Sequence, residues 1–588
     1  MQQTQTVAIS AIAGMGGVGK TELALQYALQ SSRDKQYPGG ICWLNARSLN
    51  VGIQIVNFAR KYLKLQPPEG WELLDQVKHC WHNWLPGDVL IVLDDLTKYE
   101  DVKPYLPPID LRFKVLMTTR LQLGAPIKRL DLEVLTPEAA LAMLRSYIGK
   151  KRVDSQLDVA KKLCKWLGYL PLGLELVGRY LADEEDLSIV EIQQLLALKC
   201  EALDETHPEM TAKLGVVAAF ELSWQELDEN AQVLGYLLSL FASAPIPWSL
   251  VESATDFWQE YQTHQGINSL ADSESPLKRT EDTDASRFKP TSAISPELKF
   301  RAGKATIPDL KKARRALLKF NLIKRTKKDT YELHQLIREF FLDKREESAE
   351  AEELKLAFCR AMVAEAKTIP ATPTLKDIAA VRLAIPHIGE AATTQKAWLD
   401  DEDLIRPFVG LGRFYEGQGD YKQAEPWREQ CLSLTKARLG ENHPDVATSI
   451  NNLAELYYYQ GRYTEAEPLY LQALEWRQRN LGENHSDVAE SLNNLAALYY
   501  SQRRYTEAEP LFLQALELRQ RLLGENHPDV ALSLNNLAYL YSSQGRYSEA
   551  EPLLEQALEL SERVLGLNHP NTVSYRKNLQ RLRAQQVD

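Results

Sequence analysis

The sequence is short of paired cysteine, of long apolar runs and of positive charge, and each shortage argues against a class of protein. Its six cysteines (Cys42, Cys80, Cys164, Cys200, Cys359 and Cys431) are scattered over 588 residues, and no two form a CxxC pair. That spacing fits a reducing compartment and argues against both a disulfide framework and a thiolate zinc site. The most apolar stretch, Val89–Leu93, falls far below the roughly 20 residues that a membrane-spanning helix needs. The opening MQQTQTVAIS has neither the basic start nor the apolar core of a signal peptide. A net charge of −11 disfavours nucleic acid as the main partner. The sequence therefore predicts a cytoplasmic protein with no membrane contact.

What is present is a globular composition, 44% hydrophobic, in a chain long enough for three or four domains. The first 135 residues alternate short β-rich runs with helical patterns, as a parallel α/β sheet does. Strands are expected at Thr6–Ala13, Gly40–Asn45, Asp88–Asp94 and Phe113–Thr118, with a fifth near Leu130–Val134. From Thr136 the pattern turns helical; Thr136, Pro137 and Glu138 read as an N-cap, a first-turn proline and an early acid. Residues 262–305 show no periodicity and read as a flexible insertion. A helix at Pro308–Lys319, strand-like runs at Leu322–Arg325 and Thr330–Leu333 and a further helix then suggest a winged-helix unit.

The chemistry-bearing motif is Gly14-Met-Gly-Gly-Val-Gly-Lys-Thr21, a GxxxxGK[ST] phosphate loop between an expected strand and the helical run Glu22–Leu29. Gly14, Gly16, Gly17, Val18 and Gly19 let backbone N–H groups turn inward around phosphates at the positive end of the helix. Lys20 can reach the β- and γ-phosphates of ATP, and the Thr21 hydroxyl can ligate Mg²⁺. The strand Val89–Leu93 ends in Asp94 and Asp95. Asp94 there can hold the metal and Asp95 can polarise an attacking water, although an acid at a strand end can also simply cap the next segment. The strand of Lys114–Arg120 ends in a cation that can contact a γ-phosphate and so separate ATP from ADP, or else lie on the surface. In Gly168-Tyr-Leu-Pro-Leu-Gly-Leu174, Pro171 ends one helix and begins the next, and its ring can pack against adenine.

Toward the C-terminus the sequence repeats every 42 residues. The block that begins at Glu441 recurs at Glu483 and Glu525, punctuated by Gly440, Gly482, Gly524 and Gly566, and a poorer copy covers about 404–440. Each block holds two helical patterns, so stacked hairpins forming a solenoid are expected, with 567–588 as a cap. The repeats resemble tetratricopeptide repeats of the kinesin-light-chain-like type, with Leu453, Ala454, Tyr457, Gly461, Tyr463, Ala466 and Ala473 at that family's signature positions. Asn452, Asn494 and Asn536 correspond to asparagines that line the family's concave groove. Their amides can bind a peptide backbone or instead satisfy groups between repeats.

The phosphate loop, Asp94-Asp95, the Thr118-Thr-Arg120 strand end and Gly168–Leu172 follow the order and spacing of an NB-ARC domain, the STAND-class ATPase module. The resemblance extends over about residues 5–345. It implies an ADP-bound closed state and an ATP-bound open state that forms a homo-oligomer. It also implies slow ATP hydrolysis used for switching, and a winged-helix histidine on the ADP phosphates within a Met-His-Asp motif. Here the motif reads Leu333-His334-Gln335, which keeps the histidine and puts the strength of the ADP lock in question.

The expected architecture is thus multidomain: an α/β P-loop NTPase domain (1–135), a helical domain (136–207), a winged helix (208–345), a helical linker (346–403) and an all-α tetratricopeptide-repeat solenoid (404–588). The repeats are expected to sense a protein or peptide ligand, with any effector a separate protein; a repeat scaffold with a merely structural nucleotide site is the alternative. The basic run at 299–329 could let a winged helix touch DNA, but the resemblance implies a wing packed on the nucleotide domain and the overall charge is acidic, so nucleic acid is not expected; His79-Cys80-Trp81-His82 reads as a packing helix rather than a metal site.

Overall fold

The computed structural model describes residues 9–13, 18–47, 50–68, 71–108, 112–121, 123, 127–200, 208–273 and 309–585. Gly14, Gly16 and Gly17 of the phosphate loop lie outside them, as does 274–305 of the expected insertion. The remaining part of that insertion belongs to a helix, Trp248–Ser273, so the aperiodic stretch begins later than 262. The chain divides into two compact units: residues 1–368 with 379–399, and residues 369–378 with 400–588.

The first unit is built on a parallel sheet of β1 (Ile9–Ala13), β2 (Gly40–Asn45), β3 (Val89–Leu96), β4 (Phe113–Thr119) and β5 (Lys128–Asp131), in the order β2-β3-β4-β1-β5. Val89–Leu93 are each at most 2% exposed, as expected for a strand covered on both faces. Helix α1 (Lys20–Arg33) lays Ala24 and Ala28 against Ile12, Leu90 and Val92, so its small side chains allow close approach to the sheet. The register of β3 with β4 shifts between Leu93 and Leu96. That irregularity falls on Asp94 and Asp95 and re-aims both acids at the C-terminal ends of the strands, where open α/β sheets bind ligands. The last strand lies slightly earlier than expected.

After the sheet, Thr136 caps the helix Pro137–Ile148 by accepting a hydrogen bond from the Ala139 N–H (3.2 Å). Gly168 and Tyr169, both at positive φ, end the helix Leu157–Trp166, and Pro171 opens the helix Pro171–Asp183. Further on, β7 (Lys324–Lys327) and β8 (Thr330–Glu332) pair antiparallel. They join β6 (Ile246–Pro247), a two-residue strand too short to be visible in sequence, in a three-stranded sheet. The basic residues are partly spent within this region: Arg314 stacks over Trp248 (4.6 Å), and Lys312 pairs with Asp228 (2.9 Å). Cys80 and Trp81 are buried on the helix Leu73–His82.

Of the expected linker (346–403), residues 346–368 and 379–399 instead belong to the first unit. Helix Ala351–Lys367 buries Leu354, Phe358 and Met362 completely. Phe358 meets Phe241 edge-on at 5.1 Å, and Trp258 Nε1 donates to Glu353 (3.1 Å). His387 is fully buried, with Nδ1 accepting from the Ala242 N–H (3.2 Å) and Nε2 donating to the Pro245 carbonyl (3.1 Å). A segment that buries this much apolar surface belongs to the core it covers.

The second unit is a run of paired helices, from Arg406–Glu416 with Tyr421–Leu439 to Tyr547–Leu565 followed by Pro570–Gln585. His443, His485 and His527 each cap a helix, with Nδ1 accepting from the N–H two residues on. Arg462, Arg504 and Arg546 stitch neighbouring repeats together. Each stacks on the tyrosine five residues back (Tyr457, Tyr499, Tyr541) and reaches a glutamate of the preceding repeat (Glu425, Glu467, Glu509).

Candidate functional site

The C-terminal ends of β2, β3 and β4 and the start of α1 bring polar side chains to one place. Thr21 Oγ1 donates to Asp94 Oδ1 (2.9 Å), as does Thr118 Oγ1 (2.6 Å). The Thr118 hydroxyl in turn accepts from the Asp95 N–H (2.7 Å). Asp95 sits in the left-handed region at φ +58, a conformation costly for a residue with a Cβ and often found at functional sites. One threonine thus orients both acids. A hydroxyl and a carboxylate oxygen meeting at Thr21 and Asp94 make the hard donor pair that suits Mg²⁺, which takes its remaining oxygens from water and phosphate. The residues fit that ion.

Charge in the site is mutually perturbing. Burial, reinforced by Arg120, pulls the Lys20 pKa down, while Asp95 and Asp94 oppose the shift. Burial raises Asp94 against the hydrogen bonds from Thr118 and Thr21. Gly19 lies at φ +98 with open space where a Cβ would stand, so the backbone there can turn as a phosphate-binding loop requires.

The helix that follows β8 meets this cluster. Gln335, the first residue of the helix Gln335–Glu346, accepts through Oε1 from Arg120 Nη2 (2.7 Å) and from Arg47 Nη2 (3.0 Å). Arg47 Nη1 pairs with Asp95 Oδ2 at 2.9 Å. His334 caps the same helix, its Nδ1 accepting from the Leu336 N–H (3.2 Å). The residue is exposed, with Arg120, Asp95, Glu339 and Lys20 around it. Desolvation and then Arg120 lower its pKa to about 4, so it is neutral at physiological pH. With Nδ1 accepting, the proton sits on Nε2 and leaves a donor for a ligand oxygen.

The structure therefore brings together Lys20, Thr21, Asp94, Asp95, Arg120 and His334. Pro171, at the start of its helix, has no part in this hydrogen-bonded cluster. Sequence reasoning missed Arg47, and it placed Thr118 in a motif without giving it a role. Arg47 lies two residues past β2, beside the strand that carries the acids, and the rule that ligands gather at strand C-termini points there. Among the repeat asparagines, Asn494 Nδ2 donates to Asn451 Oδ1 (3.3 Å) and Asn536 Nδ2 to Asn493 Oδ1 (3.0 Å). Part of each amide is thus spent between repeats.

The family model of the NB-ARC domain matches residues 1–154. The chain carries an NB-ARC domain. The tetratricopeptide-repeat model matches 403–479, 447–509 and 487–563, so the NB-ARC domain is followed by a tetratricopeptide-repeat array. A regulatory protein, AfsR, of Streptomyces griseus is 30% identical over 41% of this chain and 24% of its own length. A nucleotide-binding leucine-rich repeat (NLR)-like protein of Hyaloscypha variabilis is 29% identical over 75% of this chain and 42% of its own. The match thus spans about a quarter of the first relative and under half of the second. A solved Pyrococcus horikoshii STAND protein with a tetratricopeptide repeat sensor is 17% identical over 97% of this chain and 82% of that one, with a TM-score of 0.36. Among the described residues, no helix is long and apolar enough to cross a membrane.

Proposed function

We propose that the chain is a STAND-type signalling ATPase, an ADP/ATP-dependent switch whose repeats sense a protein or peptide ligand. The observation that carries this reading is the hydrogen bond from Arg120 to Gln335, which ties a cation beside the phosphate loop to the winged-helix region. A guanidinium held by a neutral amide prefers a phosphate oxygen when one is in reach. Occupancy of the γ-position and docking of the helix Gln335–Glu346 therefore compete for Arg120.

In this reading Gly14–Gly19 and Lys20 hold the phosphates, and Pro171 lies against adenine. Thr21 and Asp94 hold Mg²⁺, which when bound neutralises phosphate charge. Asp95 orients the attacking water, and His334 donates through Nε2 to the ADP phosphates. Asn452, Asn494 and Asn536 contribute to the groove that takes the ligand of the repeats, through the amide capacity that their bonds to neighbouring asparagines leave. Ligand binding favours exchange of ADP for ATP, undocking and homo-oligomerisation, after which a separate effector protein is recruited. A ligand shifts such an equilibrium only by its differential affinity for the two states.

The test is the nucleotide that accompanies the purified chain. ADP is expected in the wild type and none in Lys20→Ala. Equal nucleotide content in both proteins contradicts the proposal.

A further inference from the structure

Arg47 has two arms on two different partners. Nη1 pairs with Asp95 at 2.9 Å and Nη2 donates to Gln335 at 3.0 Å, joining positions 288 residues apart in sequence. The arginine stands on a fixed base. Its own N–H donates to Asn45 Oδ1 (3.0 Å), and Gln54 pins the Asn45 backbone by accepting from its N–H (2.9 Å) and donating to its carbonyl (2.7 Å). Asp95 is held equally firmly, through its backbone bond to Thr118. A planar fork holds a carboxylate and an amide oxygen at fixed angles, whereas a lysine ammonium is a compact charge with three rotatable donors on a flexible stem and does not fix that geometry.

We propose that Arg47 is a positioning residue that couples docking of the helix Gln335–Glu346 to the orientation of Asp95. While the helix is docked, the guanidinium is fixed at both ends and one oxygen of Asp95 is occupied by it. When the helix leaves, Arg47 keeps Asp95 but loses the Gln335 anchor, so the carboxylate gains freedom to swing toward water. Docking and the water-orienting acid thereby report on each other, independently of the direct contact between Arg120 and Gln335. The inference rests on the nucleotide-switch reading for its function and on the two measured contacts for its geometry.

The experiment compares full-length wild type, Arg47→Ala, Arg47→Lys, Gln335→Ala and the Arg47→Ala/Gln335→Ala double variant. Release of a fluorescent ADP analogue is expected to speed up about tenfold in each single variant, a coupling of ordinary size. The double variant should be no faster than the faster single. Arg47→Ala should also lower kcat for ATP at unchanged KM, while Arg47→Lys, which retains the pairing with Asp95, restores it. Multiplying effects in the double variant, or no rescue by lysine, overturns the proposal. If Lys20→Ala binds the analogue as wild type does, the nucleotide reading is what fails. The contact is then judged by nucleotide-free thermal unfolding of the same cycle, where strictly additive losses in Tm refute it.

Discussion

The amide oxygen of Gln335 lies 2.7 Å from Arg120 Nη2, so the residue that follows β4 and the one that begins the helix after β8 share a hydrogen bond across 215 positions. The same oxygen accepts from Arg47. Two guanidinium groups therefore converge on one neutral acceptor, which binds them without cancelling either charge. An aspartate there would make charge-assisted bonds, roughly twice as strong as neutral ones.

Gln335→Asp is accordingly expected to favour the docked state. The ratio of ADP to ATP affinity, measured by calorimetric titration of each nucleotide, should rise by about tenfold, and Gln335→Ala should lower it. An unchanged ratio in both variants would show that Gln335 does not discriminate the states.

Thr118→Val removes the hydroxyl that orients both acids. It leaves the Asp95 N–H without its acceptor and Asp94 with one donor fewer. Mg²⁺-nucleotide affinity should fall by about 1 to 3 kcal/mol, the cost of unmade buried hydrogen bonds. Retained affinity in a correctly folded variant would place the Mg²⁺ contact elsewhere.

His387 supplies a pH dependence. Complete burial holds its pKa at about 4 against an ordinary 6.5, so the folded state carries it neutral. The unfolded chain binds the proton first. The contribution is fully present above pH 6.5 and is lost as pH falls toward 4, to the extent of roughly 3 kcal/mol. Chemical denaturation of wild type and His387→Gln at pH 7.5 and pH 4.5 should show a smaller acid loss in the variant. Equal losses would mean that other groups govern acid sensitivity.

At the turn within each repeat, Gly461 and Gly545 have φ of +72 and +76, while the middle repeat places exposed Arg503 at φ +60. The left-handed backbone costs a residue with a Cβ about 1–2 kcal/mol, partly offset by the extra freedom glycine has when unfolded. Arg503→Gly should stabilise the array by about 0.5 to 1 kcal/mol, read as a raised denaturation midpoint. A lowered midpoint would reveal a contact of Arg503 that outweighs the strain.

Much of this was legible in sequence because it is local. The phosphate loop, the apolar β3 ending in Asp94-Asp95 and the 42-residue period each announce themselves within one window. The contacts that close the site are not local. Nothing in Asn45-Ala46-Arg47 names Gln335 as a partner, and the burial of His387 appears only once Ala242 and Pro245 surround it. Residues 346–403 read as a linker because no local pattern names what their helices cover, and the helix Ala351–Lys367 shows its destination only when Phe241 and Trp258 are seen beside it. The departure at Gln335 was visible in sequence. Its meaning as an acceptor for two arginines required the fold.

The central claim is that nucleotide state governs assembly through this cluster. The measurement that tests it most directly is the particle mass of the full chain with saturating ADP and with saturating ATP, beside Lys20→Ala under the same conditions. The expected result is a monomer with ADP, a larger assembly with ATP that Gln335→Ala makes easier to reach by weakening the docked state, and no response to either nucleotide in Lys20→Ala. One mass for every protein with every nucleotide would contradict it.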